Sequence, residues 1–246
     1  MKTMATLVLF LSLGVTALFA DNIKEAESYI YQGNTKYWLR GYTGAIRDYS
    51  KAIELNPNDA CAYWLRGAAR LNLQDVTGAI QDFSKAIELD PKDAGRWGAK
   101  AYYGRGAAKN NLQDYTGAIQ DYSKAIELLP IYAEAYHNRG AAKDNLQDYT
   151  GAVKDFSKVI ELEPKNALAY YNRGVAKFNL QDYTGAIQDG NKAIEFFPKY
   201  GDAYYLRGLA KEMLKDKSGA LADLSTSGEL GKIRAYEEIQ RIQSGN

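Results

Sequence analysis

TGAIQDFSKAIELDP, at residues 77–91, decides the fold because close copies of this stretch recur along the chain. The copies are TGAIRDYSKAIELNP (43–57), TGAIQDYSKAIELLP (116–130), TGAVKDFSKVIELEP (150–164), TGAIQDGNKAIEFFP (184–198) and the weaker SGALADLSTSGELG (218–231). An alanine common to all six copies recurs at intervals of 34, 39, 34, 34 and 34 residues, and a glycine precedes each alanine by 12 residues. Such a period is typical of stacked, repeated supersecondary units.

Each repeat is predicted to contain two helices. In the second copy, residues 60–73 and 76–89 both have apolar residues at helical spacing. Asp75 is a suitable N-cap for the second helix, and Pro91 ends it. The other copies have equivalent aspartates and prolines, at Asp114, Asp148, Asp182 and Asp216 and at Pro57, Pro130, Pro164 and Pro198.

An asparagine stands at the end of the first helix in four copies, at Asn72, Asn111, Asn145 and Asn179. We expect these residues to cap the carbonyl end of the helix in a left-handed conformation. Contact with a ligand in a groove is the alternative.

The pattern resembles the tetratricopeptide repeat, in which W-x2-L-G-x2-Y is followed by A-x3-F, A and P. The second copy matches at Tyr63, Gly67, Ala79, Phe83, Ala86 and Pro91. Two features depart from the family: tyrosine replaces the first tryptophan in all six copies, and Gly190 stands where an aromatic residue is expected.

The resemblance implies an all-α fold, a right-handed superhelical solenoid of six helix-turn-helix repeats. First helices would line a concave groove, and second helices would lie outside. The expected repeats span 26–59, 60–93, 99–132, 133–166, 167–200 and 201–234, with an insertion at 94–98 and a C-terminal capping helix and tail at 235–246.

Residues 1–20 have the layout of a secretory signal peptide. Lys2 is followed by an uncharged stretch from Met4 to Ala20, and a polar sequence begins at Asp21. We expect cleavage after Ala20, a periplasmic or secreted protein, and no stable membrane span once the chain is processed. An uncleaved N-terminal anchor is the alternative, although the apolar run is shorter than the roughly 20 residues that span a membrane.

Residue counts argue against several functions. The chain has 31 basic and 30 acidic residues, so no basic face for nucleic acid is implied. His137 is the only histidine and Cys61 the only cysteine, and about two repeats separate them, which argues against a histidine-rich metal site and a Cys–His dyad. We therefore expect no enzyme activity, no cofactor, no metal and no small-molecule substrate.

The six copies also identify scaffold residues by comparison with one another. An aspartate recurs in all six, at Asp48, Asp82, Asp121, Asp155, Asp189 and Asp223, and an arginine just before the repeat glycine recurs in five, at Arg66, Arg105, Arg139, Arg173 and Arg207. The arginines could form an anion-binding ladder. We favour a structural role in which they pair with acids on neighbouring helices.

Candidate binding residues are those that vary at a position predicted to face the groove. Three residues before each repeat glycine stand Ile30, Trp64, Tyr103, His137, Tyr171 and Tyr205. At the next position, Asn138 and Asn172 match family asparagines that hold the backbone of an extended peptide. We expect a peptide-binding groove made of aromatic and amide side chains. The alternative is that the tyrosines pack between helices.

The insertion Ala94–Gly98 contains Trp97, which could be an exposed edge contact for a partner, could pack against the stack, or could extend the next helix. The function predicted from these features is a non-catalytic scaffold that binds a partner protein or peptide outside the cytoplasm. A self-assembling, homo-oligomeric envelope protein is the alternative.

Overall fold

The computed structural model describes residues 21–91 and 97–244. The predicted signal peptide at 1–20 and residues 94–96 of the insertion lie outside the described residues. The chain divides into two compact units, Met1–Pro130 and Ile131–Asn246. Each unit is built from helix pairs.

In the first unit, the helices are α1 (21–38), α2 (Tyr42–Leu55), α3 (Ala60–Asn72), α4 (Val76–Leu89), α5 (Gly98–Asn111) and α6 (Tyr115–Leu128). The second unit contains α7 (Ala133–Asn145), α8 (Tyr149–Leu162), α9 (Ala167–Asn179), α10 (Tyr183–Phe196), α11 (Gly201–Met213), α12 (Lys217–Glu229) and α13 (Arg234–Ser244). No strand occurs within 21–91 or 97–244, and the consecutive packing of helix pairs confirms the all-α prediction.

Each second helix packs against the first helix of its own repeat and against that of the next repeat in the same unit. Phe83 of α4 illustrates why, because its buried ring lies between two repeat positions that lack side chains. A Cβ atom added at Gly67 would lie 2.9 Å from the Phe83 ring, and one at Gly104 in the next repeat would lie 2.7 Å from it. One ring therefore fills space in two repeats.

In repeat five, the space beside the repeat glycine is filled by a residue of the next repeat. It has Gly190 where the ring is expected, and the next repeat supplies Leu206, which is buried. A Cβ atom at Gly174 would lie 3.0 Å from Cδ2 of Leu206, so this leucine occupies the side of Gly174 that a ring covers elsewhere. The missing aromatic residue is thus compensated across the repeat boundary.

The predicted N-caps are confirmed. Asp75 accepts a hydrogen bond from the backbone N–H of Gly78 at 3.0 Å, and the equivalent aspartates accept from Gly117, Gly151, Gly185 and Gly219 at 2.9 Å. These bonds satisfy a donor that the first turn of the helix would otherwise leave without a partner.

The asparagines end the first helices as predicted, but the prediction that they adopt a left-handed conformation is wrong. Asn72 is the last residue of α3, and its Nδ2 donates to the carbonyl oxygen of Ala68 at 2.9 Å. The left-handed residue is Gln74, with φ of 62°, and Gln113, Gln147 and Gln181 are equivalent. The reason is that the N–H of Asp75 donates to the carbonyl of Arg70 at 3.0 Å, which closes α3 and places the left-handed residue directly before the N-cap.

The repeated arginines pair with buried aspartates, as predicted. Arg173 on α9 donates through Nε and Nη2 to Asp189 on α10 at 2.9 and 2.6 Å, and its Nη1 donates to Ser157 on α8 at 3.1 Å. One guanidinium thus joins three helices of two repeats. The same residue pairing recurs at Arg66 with Asp82, Arg105 with Asp121, Arg139 with Asp155 and Arg207 with Asp223. Each of these aspartates forms a salt bridge with a second cation as well, namely Arg70, Lys109, Lys143, Lys177 and Lys211.

Helix α13 closes the second unit. Its Ala235 and Ile242 are buried against Ala220 and Leu224 of α12. This cluster covers the apolar face that the last repeat would otherwise expose, which is the role expected of a terminal cap.

These contacts predict a ranking of three substitutions in repeat four. Asp155→Ala leaves two cations without their buried carboxylate and should lower the free energy of unfolding by about 3–5 kcal/mol. Asp148→Ala removes one helix cap and should cost about 1 kcal/mol. Glu161→Ala, which breaks an exposed pair with Lys158, is the control and should have the smallest effect. Urea unfolding of the full chain measures the order, and an equal effect of all three would contradict it.

Candidate functional site

The first helices of neighbouring repeats contact each other, with α3 against α5, α7 against α9, and α9 against α11. We call the side of these helices that carries the predicted binding residues the groove face. All seven predicted residues are partly exposed there, at Trp64, Tyr103, His137, Asn138, Tyr171, Asn172 and Tyr205. The residues can therefore contact a ligand while their remaining surface packs against the scaffold.

Trp64 forms an aromatic cluster in the first unit. Its ring centroid lies 5.1 Å from that of Trp97, which is half-buried. The Nζ atom of Lys100 lies 5.7 Å from the Trp64 centroid and 5.2 Å from the Trp97 centroid, within the range of cation–π attraction. The structure thus places the tryptophan of the insertion against a predicted groove residue.

A cavity of about 370 Å³ opens on the other side of Trp64. Its lining residues are Asn34, Tyr37, Trp38, Trp64, Leu65 and Ala68. Trp38 is 82% exposed, and Nε1 of Trp64 is buried without a hydrogen-bond partner in the described part of the chain. The cavity therefore combines apolar walls with one unused donor, a composition common in ligand sites.

Two of the predicted tyrosines pack partly on rings of the scaffold. Tyr103 lies 5.8 Å from Tyr122, and Tyr171 lies 5.0 Å from Tyr200. Tyr205 is held differently, because its hydroxyl donates to Oε1 of Glu238 on α13 at 3.4 Å. These contacts fix the orientation of side chains that remain partly exposed.

In the second unit, the structure brings His137 and Asn172 into direct contact. The His137 ring packs edge-on against Phe156 at 5.5 Å, and burial lowers the pKa of its imidazole below the ordinary value. Nδ2 of Asn172 lies 3.3 Å from Nε2 of His137. This contact is a hydrogen bond when the neutral imidazole accepts at Nε2 and carries its hydrogen on Nδ1.

Sequence reasoning missed Asp144, which lines a small polar cavity near these residues. The cavity has a volume of about 110 Å³ and is lined by Ala141, Asp144, Asn145, Phe156, Asn172 and Val175. Oδ1 of Asp144 is buried and has no hydrogen-bond partner among the described residues. Burial raises the pKa of the Asp144 carboxyl above its ordinary value of 3.8.

The position of Asp144 in its helix also disfavours the charged carboxylate. It is the next-to-last residue of α7, at the negative end of the helix dipole, where a carboxylate is unfavourable. The corresponding residues in the other repeats are Tyr37, Leu71, Asn110, Phe178 and Glu212. Glu212 is also an acid, but its carboxylate is paired with Arg241 at 2.6 Å. An acid at a position where four other repeats have aromatic, apolar or amide residues was the available sequence signal.

Cys61, the single cysteine of the chain, is partly buried. Burial raises the pKa of the Cys61 thiol to about 12, so it stays protonated and is a poor nucleophile at neutral pH. Within 21–91 and 97–244, no group of three histidine, cysteine or carboxylate side chains is arranged to hold a metal ion.

Sequence models of the tetratricopeptide repeat match the chain. The model described as TPR repeat matches residues 33–74 and 145–181. Two models described as Tetratricopeptide repeat match 99–132 and, separately, 62–93 and 167–200. Together these matches cover more than half of the chain, whereas no curated protein sequence matches it.

Several solved structures share the fold. MamA is 27% identical, with a TM-score of 0.64 over 72% of this chain and 93% of its own. YrrB, described as a TPR protein with an unusual peptide-binding site, is 22% identical, with a TM-score of 0.69 over 78% of this chain and 97% of its own. PilF of Pseudomonas aeruginosa is 17% identical, with a TM-score of 0.73 over 92% of this chain and 100% of its own.

The unpartnered, buried Oδ1 of Asp144 and its place at the end of α7 predict that Asp144→Asn stabilises the free protein. Removing the charge from the negative end of α7 should raise the free energy of unfolding at pH 7 by about 0.5–1 kcal/mol. Because the folded-state pKa is raised, the folded state binds more protons, and the penalty of the wild-type acid grows as the pH rises above 3.8.

The gain from Asp144→Asn should therefore shrink as the pH falls from 7 towards 4. Chemical denaturation of both proteins across this pH range measures the difference, with Glu134→Gln as a control that removes an exposed acid from the same helix. A destabilised Asp144→Asn protein would mean that the carboxylate has a structural partner.

Proposed function

Because the chain belongs to the tetratricopeptide-repeat family, we propose that it is an adaptor whose groove face binds an extended segment of a partner protein. Repeats of this family are generally non-catalytic interaction modules. Stacked repeats present continuous surfaces that suit extended ligands. The observation that supports this proposal most is the series of half-exposed aromatic side chains at one position of the first helices, joined in two repeats by an asparagine at the next position.

The chemistry of these side chains fits a peptide. Aromatic side chains such as Trp64 and Tyr171 bury a large area when a ligand covers them and often dominate binding energy. The amide of Asn172 can exchange hydrogen bonds with peptide groups. The 370 Å³ cavity beside Trp64 has the size of a pocket for one large side chain. Each unit therefore carries side chains that suit recognition of an extended segment.

The proposal predicts that the groove face captures a partner and that two aromatic residues carry much of the affinity. The full chain serves as bait in a cell-envelope extract, and bound proteins are identified by mass spectrometry. Trp64→Ala combined with Tyr171→Ala should weaken binding of the captured partner more than tenfold, because each side chain contributes above about 1 kcal/mol if it is a hot spot.

The matched control combines Leu112→Ala with Leu180→Ala, which removes one exposed apolar side chain per unit at 56% and 45% exposure, outside the groove face. Circular dichroism should give the same helicity for wild type and both variants. Unchanged binding by the groove variant, or an equal loss in the control, would contradict the proposal.

We also propose that the protein acts outside the cytoplasm, after removal of residues 1–20. The support is the sequence of that segment, with Lys2 followed by an uncharged apolar stretch. In the part of the chain that the structure describes, no helix is long and apolar enough to cross a membrane.

Export predicts a mature N-terminus at Asp21. Intact-mass analysis of the protein from fractionated cells should find the processed chain in the extracytoplasmic fraction, and a signal-peptidase inhibitor should preserve the longer form. A full-length chain that remains in the cytoplasmic fraction would rule out export.

Self-assembly is a second candidate, favoured by exposed apolar residues in the terminal elements. Tyr31, Trp38 and Leu39 are 75%, 82% and 78% exposed in and after α1, and Ile233 is 76% exposed before α13. Two such patches could meet head to tail in different copies. A molecular mass that grows with concentration in light scattering would favour this function over the adaptor.

A further inference from the structure

We propose that the cavity beside Asp144 is a subsite of the groove face that binds a positively charged side chain, lysine or arginine, of the partner peptide. This inference rests on the proposed peptide-binding function and specifies which residue of the peptide the second unit recognises.

The first argument is that the buried Oδ1 of the partly buried Asp144 lacks the partners given to the fully buried acids. The cavity lies between repeats four and five. Asp155 and Asp189, on the second helices of these repeats, are each paired with an arginine and a lysine. The pairing distances are between 2.6 and 2.8 Å. Oδ1 of Asp144 is buried as well, yet no described residue donates to it. A buried carboxylate oxygen without a donor is costly, and a cationic ligand would remove that cost.

The second argument is that the nearby lysines are already engaged. Lys143 precedes Asp144 on α7, but its Nζ lies 2.7 Å from Asp155. Lys177 on α9 lies 2.8 Å from Asp189. His137 is uncharged at neutral pH because burial lowers the pKa of its imidazole. The positive charge that complements Asp144 is therefore left for a ligand to supply.

The third argument concerns the other polar atoms of the cavity. Nδ2 of Asn145 donates to the carbonyl of Ala141 at 2.9 Å, and Nδ2 of Asn172 faces His137. One N–H of each amide is thus engaged, and the amide oxygens are acceptors that match the N–H groups of an ammonium or a guanidinium. An anionic ligand would be repelled by the Asp144 carboxylate.

The walls of the cavity suit the rest of a basic side chain. Ala141 and Val175 are apolar and partly exposed, so they can cover a methylene stem. The volume of about 110 Å³ is small, which favours a slender charged group over an aromatic ring.

The test compares peptide libraries on the full chain. Three sets of nine-residue synthetic peptides are randomised at every position except the centre, which is fixed as lysine, arginine or glutamine. Binding is measured by fluorescence polarisation for wild type, Asp144→Asn and Glu134→Gln. The glutamine set measures binding of a neutral polar side chain in place of the charged one. Glu134→Gln removes the same charge as Asp144→Asn, but from an exposed site on α7.

We expect wild type and Glu134→Gln to bind the lysine or arginine set about tenfold more tightly than the glutamine set, as for a hydrogen-bonded charge. Asp144→Asn should bind all three sets equally and should retain the affinity of wild type for the glutamine set. Equal binding of all sets by wild type, or an unchanged preference in Asp144→Asn, would overturn the subsite but leave peptide binding intact. Failure of wild type to bind any set would overturn the peptide-binding function itself.

Discussion

The structure depends on an arginine that is bonded on both sides of a repeat boundary. Arg173 holds Asp189 within its repeat and Ser157 in the repeat before it, and Arg66, Arg105 and Arg207 make the same kind of bridge, to Ser50, Ser84 and Asn191. A guanidinium with five N–H groups in one plane is suited to several acceptors at once. A single repeat cannot satisfy this side chain, just as it cannot bury its apolar face, so each repeat needs a neighbour.

Because the scaffold residues stabilise the fold, residues on the groove face can differ between repeats. Alanines, the repeat glycine and the arginine–aspartate pair hold the helices, so the residue three positions before the glycine can be tryptophan, tyrosine or histidine without loss of the fold. The same freedom permits an acid at Asp144, whose Oδ1 is buried without a hydrogen-bond partner among the described residues. A buried polar atom that lacks a partner is a candidate point of contact for a ligand.

The sequence was sufficient to predict the helix pairs, the aspartate N-caps and the arginine–aspartate pairing, because these recur at a fixed period. The end of α3 at Asn72 was predicted correctly, but the left-handed residue is Gln74 rather than Asn72, because the backbone N–H of the next N-cap bonds to the carbonyl of Arg70. The compensation of the missing aromatic residue at Gly190 by Leu206 of the next repeat could have been found by comparing adjacent copies. Asp144 could not be assigned, because its lack of partners is a property of the packed helices α7 and α9.

The central claim, that neighbouring repeats stabilise each other through the bridging arginine, is tested most directly by amide hydrogen exchange in Arg173→Met. The account predicts faster exchange in α8, which contains Ser157, as well as in α9 and α10. Faster exchange in α9 and α10 with α8 unchanged would contradict the claim, because each repeat would then be stable independently of the bond to its neighbour.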